Sequence, residues 1–108
     1  MATYTNISYV AKNVGTSAST LTTVASATTA AIASLIVSNT TASPITTSVY
    51  FTRSAVDYYL VYQATVPVGG SLEVIQGNRV VLIASDALKV INSAASSGDC
   101  VASVLLAA

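Results

Sequence analysis

The side chains able to do chemistry are few in this chain, and their types narrow what that chemistry could be. There is no histidine and a single cysteine, Cys100; the carboxylates are Asp57, Glu73, Asp86 and Asp99, and the cations are Lys12, Arg53, Arg79 and Lys89. Without histidine, a Ser or Cys nucleophile lacks its usual general base. Glu73 and Asp86 are the only carboxylates to consider as an acid/base pair. Nothing in their spacing sets them about 5 to 10 Å apart across a cleft, as glycoside hydrolysis requires. A zinc site needs three or four Cys, His or carboxylate ligands at suitable spacing, and an intrachain disulfide needs a second thiol. No glycine-rich phosphate loop, EF-hand pattern or other ligand motif occurs. The expectation is a chain that is not an enzyme, with no catalytic residues, no cofactor and no metal.

Tyrosine is the one residue type left that suits binding. Tyr58, Tyr59 and Tyr62, joined by Tyr50, combine a large apolar ring with a hydroxyl handle. In a regular strand Tyr58 and Tyr62 share one face and Tyr59 takes the other. A sugar-binding platform uses such rings for stacking, but the chain has no tryptophan, and core or interface packing is the favoured role. Asp57 stands near Arg53, so a hairpin joining their strands would pair them. Asp86 reads as a cap for the turn before Leu88, using its side-chain oxygen on a backbone N–H. Cys100 reads as packing at the start of the last strand.

The elements that must position these groups are strands. Ile45, Thr47, Val49 and Phe51 alternate with Thr46, Ser48, Tyr50 and Thr52, the period of two of a half-buried strand. The same rule predicts strands near 4–10, 20–24, 32–38, 45–52, 58–66, 72–75, 79–83, 88–91 and 101–106. Turn-forming Asn, Ser, Gly, Asp and Pro separate them at 39–44, 54–57, 67–70, 76–78 and 93–99. At 108 residues the chain makes one domain, 1–108. Short strands at this spacing predict an all-β fold, a single compact β-sandwich, jelly-roll or immunoglobulin-like, of about eight strands. Residues 1–31 leave room for a flexible or partner-ordered arm, since 17–34 is a bland tract of Ser, Thr and Ala.

Composition then bears on partners. Hydrophobic residues make up 53% and charged residues 7% of the chain, and the net charge is zero. Four scattered cations make no phosphate-binding patch, so nucleic acid is not an expected partner. The longest weakly polar stretch, 30–37, is far short of the roughly 18 to 20 apolar residues that span a bilayer, so no membrane partner is expected. The N-terminus lacks the cationic start of a secretory signal and reads as that of a protein made in a cytoplasm. Several strands are apolar on both faces: Val80 and Leu82 oppose Val81 and Ile83, and Leu88 and Val90 oppose Lys89 and Ile91. Outward Val, Ile and Leu need a second cover, so the chain reads as a homo-oligomer. Its candidate interface is Tyr50, Tyr58, Tyr59, Tyr62, Val81, Ile83, Ile91, Arg53 and Arg79.

From 32 to 106 the order of elements also carries a resemblance. An apolar strand Leu35-Ile36-Val37 ends in the turn Ser38-Asn39-Thr40-Thr41. Later come Tyr59-Leu60-Val61-Tyr62, the hairpin Val66-Pro67-Val68-Gly69-Gly70-Ser71-Leu72, and Ser85-Asp86-Ala87-Leu88-Lys89-Val90. This order resembles small accessory structural proteins of tailed-phage virions, as found in marine phages and cyanophages. Two positions depart from that pattern: Ser85 stands where glycine is expected, and the closing strand ends Val104-Leu105-Leu106-Ala107-Ala108 without the acidic residue expected there. The resemblance implies a non-enzymatic virion component without saying where on the particle it sits; a capsid decoration or cement protein is the leading reading. Its partners would be itself, commonly as a trimer, and the major capsid protein. A neck, tail or fibre-network component is the alternative, and a receptor- or carbohydrate-binding module using the tyrosines is a second.

Overall fold

The alternation read along the chain becomes nine antiparallel strands in the computed structural model, which describes residues 4–75 and 80–107. They are β1 (Tyr4–Val14), β2 (Ser19–Thr23), β3 (Thr29–Asn39), β4 (Ile45–Arg53), β5 (Val56–Val66), β6 (Ser71–Glu73), β7 (Val80–Leu82), β8 (Ala87–Asn92) and β9 (Gly98–Ala107). Each expected strand has its counterpart, and the described residues contain no helix. The expected turn at 76–78 lies outside the described residues. The segment read as bland or arm-like carries β1, β2 and the start of β3.

Pairing is nested. β4 pairs β5, β3 pairs β6 and β7, β2 pairs β8, and β1 pairs β9, so the chain is one long hairpin folded back on itself. Two further ladders, β3 with β9 and β4 with β8, roll that hairpin into two sheets, β1-β9-β3-β6 and β2-β8-β4-β5. β6 and β7 lie end to end along β3, at Ile36–Ser38 and Ala30–Ile32, and together fill one strand position. This order is that of the jelly roll rather than of the immunoglobulin sandwich.

The core lies between the sheets. Val37, Leu35 and Ile32 of β3 face Val49, Leu88 and Val90 of the other sheet, with Cys100, Ala102 and Val104 of β9 beside them, all within one buried cluster. A β-bulge between Ile32 and Ser34 lets Ile32 and Leu35, three residues apart, both point inward. Burying each such side chain contributes roughly 1.5–3 kcal/mol.

Two positions hold the crossing between sheets. Asn39, at the end of β3, donates from its amide nitrogen to the carbonyls of Ser43 (2.8 Å) and Val66 (3.2 Å). Its amide oxygen accepts from the N–H and hydroxyl of Thr41 at 2.8 and 2.7 Å. All its polar capacity is thus used to shape the 39–44 turn, which is why a buried asparagine is tolerated there. Opposite it in register lies Gly98. A Cβ at 98 would overlap the Ser38 carbonyl oxygen and stand 2.8 Å from the Asn92 amide nitrogen. Gly98→Ala is therefore expected to destabilise the fold by about 1–3 kcal/mol, read as a lower urea midpoint with an unchanged m value.

Candidate interaction surfaces

The outer face of the β1-β9-β3 sheet is built from side chains that alternate away from the core. Register aligns them in rows across the strands: Val10, Val101 and Ile36; then Ser8, Ser103 and Ser34; then Asn6, Leu105, Ala31 and Val81. Val10, Val101, Ile36 and Val81 are all exposed, Val10 to 70%. An open depression of about 420 Å³ lies over the serine row, floored by Ala31, Ala33 and Ser103. Among the described residues, the charges nearest the rows lie at the border: Lys12 and Asp99 pair at 3.5 Å, and Glu73 sits beside Ile36 on β6. Small, hydroxyl-rich and uncharged across its middle, this face holds no nucleophile with a base and suits contact with another surface.

The tyrosines lie on the other sheet, in an arrangement different from the one expected. Val49 pairs Val61 while Tyr50 pairs Tyr59, and Thr47 pairs Ala64, so β5 carries two one-residue insertions against β4. Gln63 at the second has a left-handed backbone, φ 50°. Each bulge reverses the facing of the residues beyond it. Tyr59 and Tyr62 consequently come together on the outer face, their rings edge to face at 5.0 Å, with Tyr50 4.9 Å from Tyr59. Tyr58 turns to the opposite side and stacks on Phe51 at 5.3 Å. The even-spacing expectation, with Tyr58 and Tyr62 sharing a face, is overturned.

Tyr50, expected at the interface, is instead buried. Its phenol pKa is raised, first by burial, then by the charge of Asp57 and by Tyr59. Tyr59, Tyr62 and Gln63 border a shallow groove of about 250 Å³ with half-buried Ile91 and the hydroxyls of Thr46, Ser48 and Ser93. Ser48 fixes the bulge by accepting the Gln63 N–H at 2.9 Å, and Ser93 accepts the Thr46 N–H at 2.9 Å.

Arg53 is not paired with Asp57. Its Nε and Nη2 donate to Asp86 Oδ1 and Oδ2 at 2.9 and 2.6 Å, a two-point ion pair on a carboxylate only 1% exposed. Asp57 accepts from the Thr52 hydroxyl at 2.7 Å. Asp86 does accept a backbone N–H, but from Ile83 (2.9 Å), which precedes it, rather than toward Leu88. Its own carbonyl accepts from Val24, and Ser85 N–H donates to the Val24 carbonyl. The pair thus ties the ends of β2, β4 and β7 together. Ser85 has φ 73°, a backbone that favours glycine, where the resemblance expects glycine. The guanidinium also lies 5.2 Å from the Phe51 ring centre. Held this way, Arg53 is a structural residue rather than a free interface cation.

Val81 and Ile83 are exposed, as expected for contact residues. Arg79 lies outside the described residues. Glu73 stands exposed on β6 while Asp86 is sealed by Arg53, so those two carboxylates form no acid/base site. Cys100 is buried, and burial pushes its thiol up to about 12. Among the described residues no group of three His, Cys, Asp or Glu could hold a metal ion, and no helix is long and apolar enough to cross a membrane. Sequence reasoning missed Tyr4 and Val10 on β1, among the most exposed large apolar side chains. Their spacing signalled a strand, while their exposure depends on what lies beyond its edge. Comparison with known protein families, curated proteins and solved structures finds no match for this chain.

The Asp86 carboxyl is held below its usual range by the Arg53 hydrogen bonds, against the opposing effect of burial, with the Ile83 N–H adding to the lowering. A depressed folded-state pKa means that this contribution to stability is complete above the unfolded value of 3.8. It is lost as pH falls through the folded value. Thermal unfolding followed by circular dichroism is expected to show a Tm that drops below about pH 4, and a shallower drop in Asp86→Asn.

Proposed function

We propose that this chain is a non-enzymatic structural protein of a tailed-phage virion, a capsid decoration or cement protein that self-associates and binds the major capsid protein. The carrying observation is the outer face of the β1-β9-β3 sheet, where exposed Val10, Val101, Ile36 and Val81 flank a row of serines with no charge among them. Such a face gains by being covered, and its hydroxyls can be satisfied in an interface without the cost of burying charge. Zero net charge removes the repulsion that keeps monomers apart. The jelly roll is a recurrent capsid scaffold, which agrees with the reading without supplying it. The mechanism is mechanical: surface buried between subunits resists the pressure of packaged DNA. Permanent interfaces of this kind bury upwards of about 2,000 Å². The same chemistry serves a neck, tail or fibre position equally well.

Cryo-electron microscopy of the intact particle tests it. Density fitting this sandwich is expected over the head lattice. Density confined to neck or tail moves the role there, and its absence from purified particles overturns the reading. In solution the purified protein is expected to scatter light as an oligomer.

A second reading, a carbohydrate- or receptor-binding module, is favoured by the groove at Tyr59, Tyr62 and Gln63, where two rings at 87° form a corner lined by hydroxyls. On this reading Tyr62→Ala abolishes adsorption to cells and leaves assembly intact. On the structural reading adsorption is unchanged.

A further inference from the structure

Every open sheet ends in edge strands whose outward N–H and C=O groups can pair with another chain, and proteins blunt such edges with short strands, bulges, proline or charge. The edges here are β1 and β6/β7 in one sheet, β2 and β5 in the other. β6 and β7 are only three residues long. β2 has five residues and a register shift between Thr20 and Thr22, and β5 is broken by two bulges. β1 has none of these devices over its first eight residues. From Tyr4 to Ala11 it runs in unbroken register with β9, with no proline and no charge before Lys12. Among the described residues β9 is its one ladder partner, and no turn or side-chain hydrogen bond from them reaches the backbone of residues 4–12. The strand also carries Tyr4 and Val10, 67% and 70% exposed.

We propose that this edge pairs with β1 of a second copy, antiparallel and centred on Ile7, so that two molecules share one continuous sheet. The order of side chains selects this occupant. About Ile7, Tyr4 falls opposite the second copy's Val10, Thr5 opposite Tyr9, Asn6 opposite Ser8, and Ile7 opposite itself. Tyr4, Asn6, Ser8 and Val10 share the outer face, because they align with Ala107, Leu105, Ser103 and Val101 of β9. An aromatic ring therefore meets a branched aliphatic side chain, an amide meets a hydroxyl, and no charges face each other, the pairings that stabilise antiparallel ladders. Moving the centre to Ser8 sets Lys12 against Tyr4. Moving it by half a step mixes inner and outer faces, which a continuous sheet forbids. The contact is isologous, as a two-fold dimer requires, and it extends the Val10–Val101–Ile36 row into the second molecule. It deepens the assembly reading by naming the contact, with a dimer rather than a trimer as its unit.

Light scattering on the full chain is expected to give twice the 10.9 kDa chain mass, or an even multiple of it. Asn6→Lys/Ser8→Lys sets lysine against lysine at both symmetry-related pairs and should halve the mass. Asn6→Glu/Ser8→Glu should do the same, and mixing the two variants should restore a one-to-one dimer. Both positions are exposed in the single molecule, and circular dichroism checks that each variant folds. As an independent measurement, Ile7→Cys should oxidise to a cross-linked dimer, whereas Val81→Cys on the opposite edge should not. An oligomer whose mass the lysine variant leaves unchanged, a trimer included, overturns the strand pairing and leaves the virion reading standing. A wild-type monomer also overturns the pairing, while microscopy of the particle judges the virion role separately.

Discussion

The structure depends on β9 lying between β1 and β3. It is the one strand of its sheet that makes long ladders on both sides, along nearly its whole length. Its inward residues Cys100, Ala102 and Val104 are small enough to let the facing sheet approach, and all three are buried. Because β9 pairs with β1, its sheet can close only when strands far apart in sequence meet. The nested hairpin makes nearly every pairing distant in sequence, a topology in which loop-closure entropy is met before contacts reward it. Gly98 and Asn39 face each other where β9 begins and β3 ends.

Once the sheets are closed, polar side chains are spent on shape rather than on chemistry. Asn39 is consumed by a turn, Asp86 by Arg53 and Ile83, Ser48 by a bulge, and Asp57 by Thr52. Buried polar groups need partners, and those of Asn39, Ser48 and Asp86 are internal. The surface is left aliphatic, aromatic and hydroxyl, with little charge. That combination suits contact, and it is why the functional reading rests on faces and edges.

The two sheets divide that surface unequally. The β1-β9-β3 sheet presents regular rows and an unblunted edge, whereas the β2-β8-β4-β5 sheet is shaped by bulges that gather Tyr59 and Tyr62 over Tyr50. The two readings of function thus attach to different faces of one sandwich.

Much was legible in the sequence. Alternation is a local property, so the stretches that form strands, the described turns between them and the outward placement of Val81 and Ile83 could be read without a structure. The missing histidine and the lone Cys100 were equally plain. Other features required the tertiary structure, because they depend on residues distant in the chain. A bulge reverses the parity of a strand, and nothing local marks Leu60 or Gln63 as the extra residue, so the facing of Tyr58, Tyr59 and Tyr62 was not readable. Arg53 found Asp86, 33 residues away, instead of the nearby Asp57, since only the folded sheet brings the β7–β8 turn to the end of β4. Strand order, and with it the exposure of the β1 edge, was likewise decided by the closure of the nested hairpin. Side-chain period dictates which residues face inward along a strand, while long-range pairing decides which strands are neighbours.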